Sequence, residues 1–95
     1  MSYLSSKEVA TRIKTTLVEK PELWIKNSYG TKGGPQCLVG HIQSLDDEEL
    51  MGPAYRSFSQ IILRRYGTKK VSVWNDQPTT TLDDVISVLD EVINE

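Results

Sequence analysis

The sequence predicts a mainly α fold: about four helices in one small domain, residues 1–95, with one short extended segment near residues 70–74. Three observations predict it. Apolar residues recur at helical spacing in four stretches, a capping residue or proline stands at the head of each, and just one short run alternates with period two. A length of 95 residues gives a modest core of the size one domain normally needs.

The first helix is announced by Ser5 and Glu8, an S-x-x-E spacing in which each side chain satisfies the other residue's free amide. Val9, Ile13, Thr16 and Leu17 follow at helical spacing, and Lys20-Pro21 ends the run. Residues 21–35 form a connection with Trp24 and Ile25 near its start and a small, polar, glycine-rich stretch from Asn27 to Gly34, the candidate mobile loop. A second helix of two to three turns is expected to open at Pro35, with Leu38, Ile42 and Leu45 as its stripe. A third starts at Pro53, shows Ala54, Phe58, Ile61, Ile62 and then Arg65 or Tyr66 on one side, and stops at Gly67. Lys70 to Trp74 alternates polar and apolar as a strand would. The last helix is capped by the Thr79-Thr80-Thr81 run and carries Leu82, Val85, Ile86, Leu89, Val92 and Ile93 as its stripe.

Composition excludes several classes. With 38% hydrophobic and 25% charged residues, the chain is neither disordered nor fibrous. Ile61-Ile62-Leu63 is as long as any uninterrupted apolar run, so no membrane span is expected. Met1 to Ser6 lacks the basic start and apolar stretch of a secretory signal, and a single cysteine allows no internal disulfide, so a cytoplasmic location is expected. A disulfide-linked dimer stays open.

The net charge is −2, but the charges are segregated. Residues 46–49 are all acidic, residues 53–70 carry Arg56, Arg64, Arg65, Lys69 and Lys70 with no acid, and residues 71–95 carry six acids and no base. The basic block either binds an anionic ligand or pairs with the acidic C-terminal segment inside the fold. Adjacency in sequence favours pairing. An acidic chain with so short a basic block is not expected to bind nucleic acid.

Two motifs concentrate the rarer residue types: Cys37-Leu38-Val39-Gly40 after Gly33-Gly34-Pro35, and Trp74-Asn75-Asp76 before the last helix. In the first turn of a helix, Cys37 would have its thiol pKa lowered by free amides, and His41 lies one turn further on. Asp76 or Asn75 would complete a Cys-His-Asp or Cys-His-Asn nucleophilic arrangement. Against this, an i, i+4 pair projects both side chains outward side by side, and a buried cysteine is more often a small hydrophobe. The chain's single cysteine and single histidine make a closed metal site unexpected, and no cofactor is expected. Lys32, Gly33 and Gly34 lead toward a helix N-terminus that accepts anions. With Arg64, Arg65, Lys69, Lys70, Trp74, Asn75 and Asp76 they make up the candidate ligand-binding set. Asn75 and Asp76 also suit a plain turn before Gln77-Pro78, with Trp74 as a core anchor whose ring nitrogen bonds a carbonyl.

Cys-Leu-x-Gly at a helix start, with Trp-Asn-Asp before a Thr-capped last helix, resembles a family of small uncharacterised phage and bacterial proteins, a domain of unknown function. The resemblance covers roughly residues 5–93. Where that family continues Gly-Ala, this chain has Gly40-His41, a departure that weakens the Cys-His idea. The resemblance implies a helical fold in which Cys37, Gly40, Trp74, Asn75 and Asp76 hold the second helix and the last loop together, and it implies no reaction.

The expected function is a small non-catalytic binding or inhibitory protein, self-associating and cytoplasmic, in the host cytoplasm if phage-encoded. A phage-like origin would make it a counter-defence factor that blocks a host protein or sequesters a nucleotide signal. The competing readings are a cysteine-dependent enzyme using Cys37, and a structural or assembly protein.

Overall fold

Ser5 caps the first helix as its spacing predicts. Its hydroxyl accepts from the Glu8 amide at 3.1 Å, and its own amide donates to the Glu8 carboxylate at 3.3 Å. The computed structural model describes residues 5–28, 30, 31, 34–46, 53–68 and 70–95. Among them the chain forms α1 (Ser6–Glu19), a 3-10 turn (Pro21–Leu23), α2 (Leu38–Asp46), α3 (Pro53–Tyr66), α4 (Val71–Asn75) and α5 (Leu82–Ile93). No strand forms among the described residues, and one isolated parallel bridge joins Trp24 to Gln36.

That bridge corrects the expected start of α2. The Gln36 amide donates to Leu23 O at 2.9 Å and the Ile25 amide donates to Gln36 O at 3.1 Å, so Gln36 is held in the bridge and Pro35 lies in the bend before it. The helix begins at Leu38 instead of Pro35. Gly30 lies against this crossing in a left-handed conformation (φ 75°), where an added Cβ would fall 1.9 Å from Pro35 O, so only glycine fits. The acidic run after Asp46 and the glycine at position 52 lie outside the described residues.

The segment expected to be extended, residues 70–74, is instead helical at Val71–Asn75. A strand would put Val71 and Val73 on one face. The helix buries Val71 and Trp74, one turn apart, and leaves Val73 48% exposed. With no partner strand, i→i−4 bonding satisfies the backbone locally: Trp74 N donates to Lys70 O at 3.1 Å and Asp76 N to Ser72 O at 3.1 Å.

Of the three threonines before α5, Thr81 is the cap, paired reciprocally with Asp84. Thr80 is buried and donates to Trp74 O at 2.6 Å, which ties α4 to the start of α5. Val85, Val88, Leu89 and Val92 form the buried stripe of α5, and Leu82, Ile86 and Ile93 are partly buried beside it. Gly67, at φ 80°, stops α3 as expected.

The helices α1, α3 and α5 contact one another, the α1–α5 contact being the most extensive. Phe58, Ile61 and Ile62 from α3 join Ile13 and Leu17 from α1 and Leu89 from α5 in one core. Next to that layer, α2 packs on α1 and α3, α4 packs on α3, and the two meet each other. The start of α2 and the end of α4 therefore meet beside residues 24–27. No helix among the described residues is long and apolar enough to cross a membrane.

Candidate functional site

Asn75 organises this meeting point. It is fully buried, and its Oδ1 accepts from Trp24 Nε1 at 2.6 Å and from the Leu38 amide at 3.1 Å. Its Nδ2 donates to Ile25 O at 3.0 Å and Asp76 Oδ1 at 3.0 Å. The amide orientation is unambiguous, because the first pair of neighbours only donates and the second only accepts. The Leu38 amide is one of the free donors at the start of α2, so the Trp-Asn-Asp motif supplies a cap to the Cys-Leu-x-Gly helix. Asp76 Oδ1 also accepts from the Asn27 amide at 2.7 Å, which holds Asn27 in its left-handed conformation (φ 64°).

Cys37 stands one residue before α2. Its carbonyl accepts from the His41 amide at 3.0 Å and its Sγ from the Gly40 amide at 3.4 Å, so the thiol itself occupies the capping position. The expected lowering of its pKa is reversed. Burial pushes the thiol above 9.0, the amides of Gly40 and Val39 oppose that, and the negative charge of Asp76 adds to it. The side chain is 3% exposed.

His41 faces elsewhere. Its Nε2 lies 2.8 Å from Leu23 O, and because a carbonyl only accepts, Nε2 carries the hydrogen. Burial pushes the ring below 6.5, opposed by the carbonyls of Leu23 and Gln36. The two side chains line different clefts. Cys37 shares one of about 220 Å³ with Asn27, Ser28, Ser72 and Asp76. His41 shares one of about 290 Å³ with Ile13, Thr16, Leu23, Gly34, Gln36, Ser44 and Leu45. Among the described residues no side-chain hydrogen bond joins Cys37 to His41. Asp76 does border the thiol's cleft, but a carboxylate beside a thiol with no intervening imidazole opposes thiolate formation.

Two residues of the basic block, Arg64 and Arg65, are engaged by α5. Arg64 forms an ion pair with Glu91, and Arg65 reaches the same carboxylate at 3.5 Å and Ser87 Oγ at 3.0 Å. Arg65 also sits 5.3 Å over the Tyr66 ring, whose centroid is 5.1 Å from that of Trp74. Lys70 is exposed at the head of α4, Gly34 borders the His41 cleft, and positions 32, 33 and 69 lie outside the described residues. Trp74 is the core anchor expected of it, at 1% exposure, but the indole N–H that is bonded belongs to Trp24 and not, among the described residues, to Trp74.

Four residues carried no motif in the sequence: Gln36 and Ser44, which line the His41 cleft, and Trp24 and Lys26, which bond to Asn75 and Gln77. Lys26 donates to Gln77 O at 2.7 Å and lies 5.7 Å over the Trp24 ring. Gln36 donates to Gly40 O at 3.1 Å and Ser44 Oγ at 2.9 Å. Gln36 precedes α2, so its bonds to Gly40 O and Ser44 follow no helix-face spacing that the sequence shows. No characterised protein and no solved structure matches the chain. The sequence pattern of a family of unknown function, DUF6197, matches residues 1–95, and the chain belongs to that family.

Proposed function

We propose that this protein is a non-catalytic binding protein, acting by occupancy and not by turnover. What supports the reading is the way the two candidate catalytic side chains are used: Cys37 is a buried helix cap held protonated, and His41 is bonded to Leu23 O in a separate cleft. The finer reading is a phage-derived counter-defence factor in the host cytoplasm that blocks a host protein or sequesters a nucleotide signal. It rests on the resemblance drawn from the Cys-Leu-x-Gly and Trp-Asn-Asp motifs. Self-association belongs to the same proposal. With residues 71–75 helical, it rests on exposed Val18, Leu63, Tyr66 and Val73 in place of strand pairing.

The test is the reactivity of Cys37 in the folded chain. Iodoacetamide at neutral pH is expected to alkylate it far more slowly than free cysteine, and at the free rate once the chain is unfolded in urea. Alkylation of the native protein faster than free cysteine would restore the enzyme reading. Native mass spectrometry at micromolar concentration reads chain count and any retained ligand in one spectrum, and a bare monomer there would remove the self-association proposal.

A further inference from the structure

The His41 cleft has features that a generic surface groove lacks. Three elements build it: α1 supplies Ile13 and Thr16, the 3-10 turn supplies Leu23, and α2 supplies His41, Ser44 and Leu45. Its volume of about 290 Å³ falls at the lower end of small-molecule sites, which run from about 300 Å³ upward. Ile13, Leu23 and Leu45 give it an apolar side, and Leu23 and Leu45 are only partly buried by the rest of the fold. Its polar side is already fixed. Gln36, 6% exposed, is tied to Gly40 O and Ser44, and His41, 8% exposed, is tied to Leu23 O. A wall locked before binding loses little side-chain freedom when a ligand arrives.

Charge decides the ligand class. No Asp, Glu, Lys or Arg is among the described residues that line this cleft. A phosphate or carboxylate placed there would lose its water without gaining a counter-charge from any described lining residue, and so would an ammonium. The arginines best suited to a phosphate are bound to Glu91 on another side of the fold. We propose that this cleft is a binding site for one small, uncharged, ring-sized ligand, its apolar face on Ile13, Leu23 and Leu45 and its hydrogen-bonding edge toward Thr16, His41 and Ser44. The site deepens the reading of the protein as a binding protein and rests on it. If the ligand is a nucleotide, the cleft takes its base and leaves the phosphate outside.

The experiment uses benzamide, benzoate and benzamidine, which share one size and shape and differ in charge, together with adenosine and its 5′-monophosphate. Each is titrated into the ¹⁵N-labelled full chain and followed by amide chemical shifts. Benzamide and adenosine are expected to move the amides of Leu23, Ser44 and Leu45. Benzoate and benzamidine should bind at least about tenfold more weakly than benzamide, and the monophosphate within about threefold of adenosine whatever the salt. Leu45→Arg, at a partly exposed position, should weaken benzamide binding about tenfold with the thermal midpoint little changed. Should that variant fail to fold, Ser44→Ala gives the same readout at lower amplitude.

Equal or tighter binding of the charged compounds, shifts confined to the Asn27–Asp76 cleft, or no shift with either uncharged probe would overturn the proposal. Mass spectrometry of the recovered compounds keeps the two levels apart. Conversion of a probe that is lost in Cys37→Ser would overturn the binding-protein reading itself, whereas unbound and unchanged probes overturn this site alone.

Discussion

Asn75 offers two lone pairs and two amide hydrogens, and Trp24, Leu38, Ile25 and Asp76 take up all of them. Removing the side chain leaves a buried indole N–H, a helix-start amide and a carbonyl without partners at once. Asn75→Ala is therefore expected to cost about 2–4 kcal/mol, read from the urea midpoint. Asn75→Asp keeps the shape but turns an acceptor toward Ile25 O and Asp76. Burial and the neighbouring carboxylate would raise the new group's pKa, so its stability deficit should grow as pH rises through the carboxylate range and shrink in acid, where a protonated oxygen donates again. A deficit independent of pH would mean that the amide hydrogens matter less than this geometry implies. None of the bonds to Trp24, Ile25 or Leu38 is visible in the sequence, because they span 51, 50 and 37 residues. The motif drew notice through its residue types, and its partners needed the fold.

Helix ends show the opposite case. Ser5 and Glu8 are three residues apart and so are Thr81 and Asp84, so each cap is a local event written in local order. Similarly, the stop at Gly67 and the stripe of α3 need only helical geometry. At α4 the local signal misled. Five residues cannot sustain a helix alone, and a run such as Val71-Ser72-Val73-Trp74 fits a strand equally well until burial chooses a face. What holds α4 is tertiary: Val71 and Trp74 packed inward, Asn75 bonded across, and the Thr80 hydroxyl on Trp74 O. Thr80→Val preserves shape and removes that last bond, leaving the carbonyl of Trp74 with one donor fewer in a buried setting. It should cost about 1–2 kcal/mol, and amide exchange should quicken at residues 74–76 before it does in α1 or α5. Unchanged exchange there would show that packing alone secures the element.

Across the whole molecule, the pairing of opposite charge blocks was legible because they are neighbours in sequence, and Glu91 does gather both Arg64 and Arg65. The separation of Cys37 and His41 into two clefts was not legible: their i, i+4 spacing predicts side chains projecting outward side by side, whereas Cys37 precedes the helix and both side chains are buried. Which cleft each entered depended on the crossing of residues 24 and 36. Both groups are buried in their neutral forms, which bounds the pH range of stability on two sides. His41 has a folded pKa below 6.5, so the unfolded chain binds more protons there, and stability should fall as pH drops from about 6.5 toward the folded value. Cys37 has a folded pKa above 9.0, so the folded chain holds its proton longer, and stability should fall as pH rises beyond about 9.0. Urea midpoints across pH should show both limbs, with His41→Gln flattening the acid one and Cys37→Ser the alkaline one. A limb that persists in its variant belongs to another group.

The stacking of Tyr66 on Trp74, 5.1 Å between centroids and tilted by 33°, also gives the molecule an optical identity. A phenol that close hands its excitation to the indole, so tyrosine emission from position 66 is dark while α3 and α4 stay together. Trp74 emits from an apolar interior and Trp24 from a half-buried ring with its N–H bonded, which sets the two tryptophans at different wavelengths. The chain thus carries two native fluorophores of different colour, one watching the α3–α4 contact and the other the crossing at residues 24 and 36, with no label added.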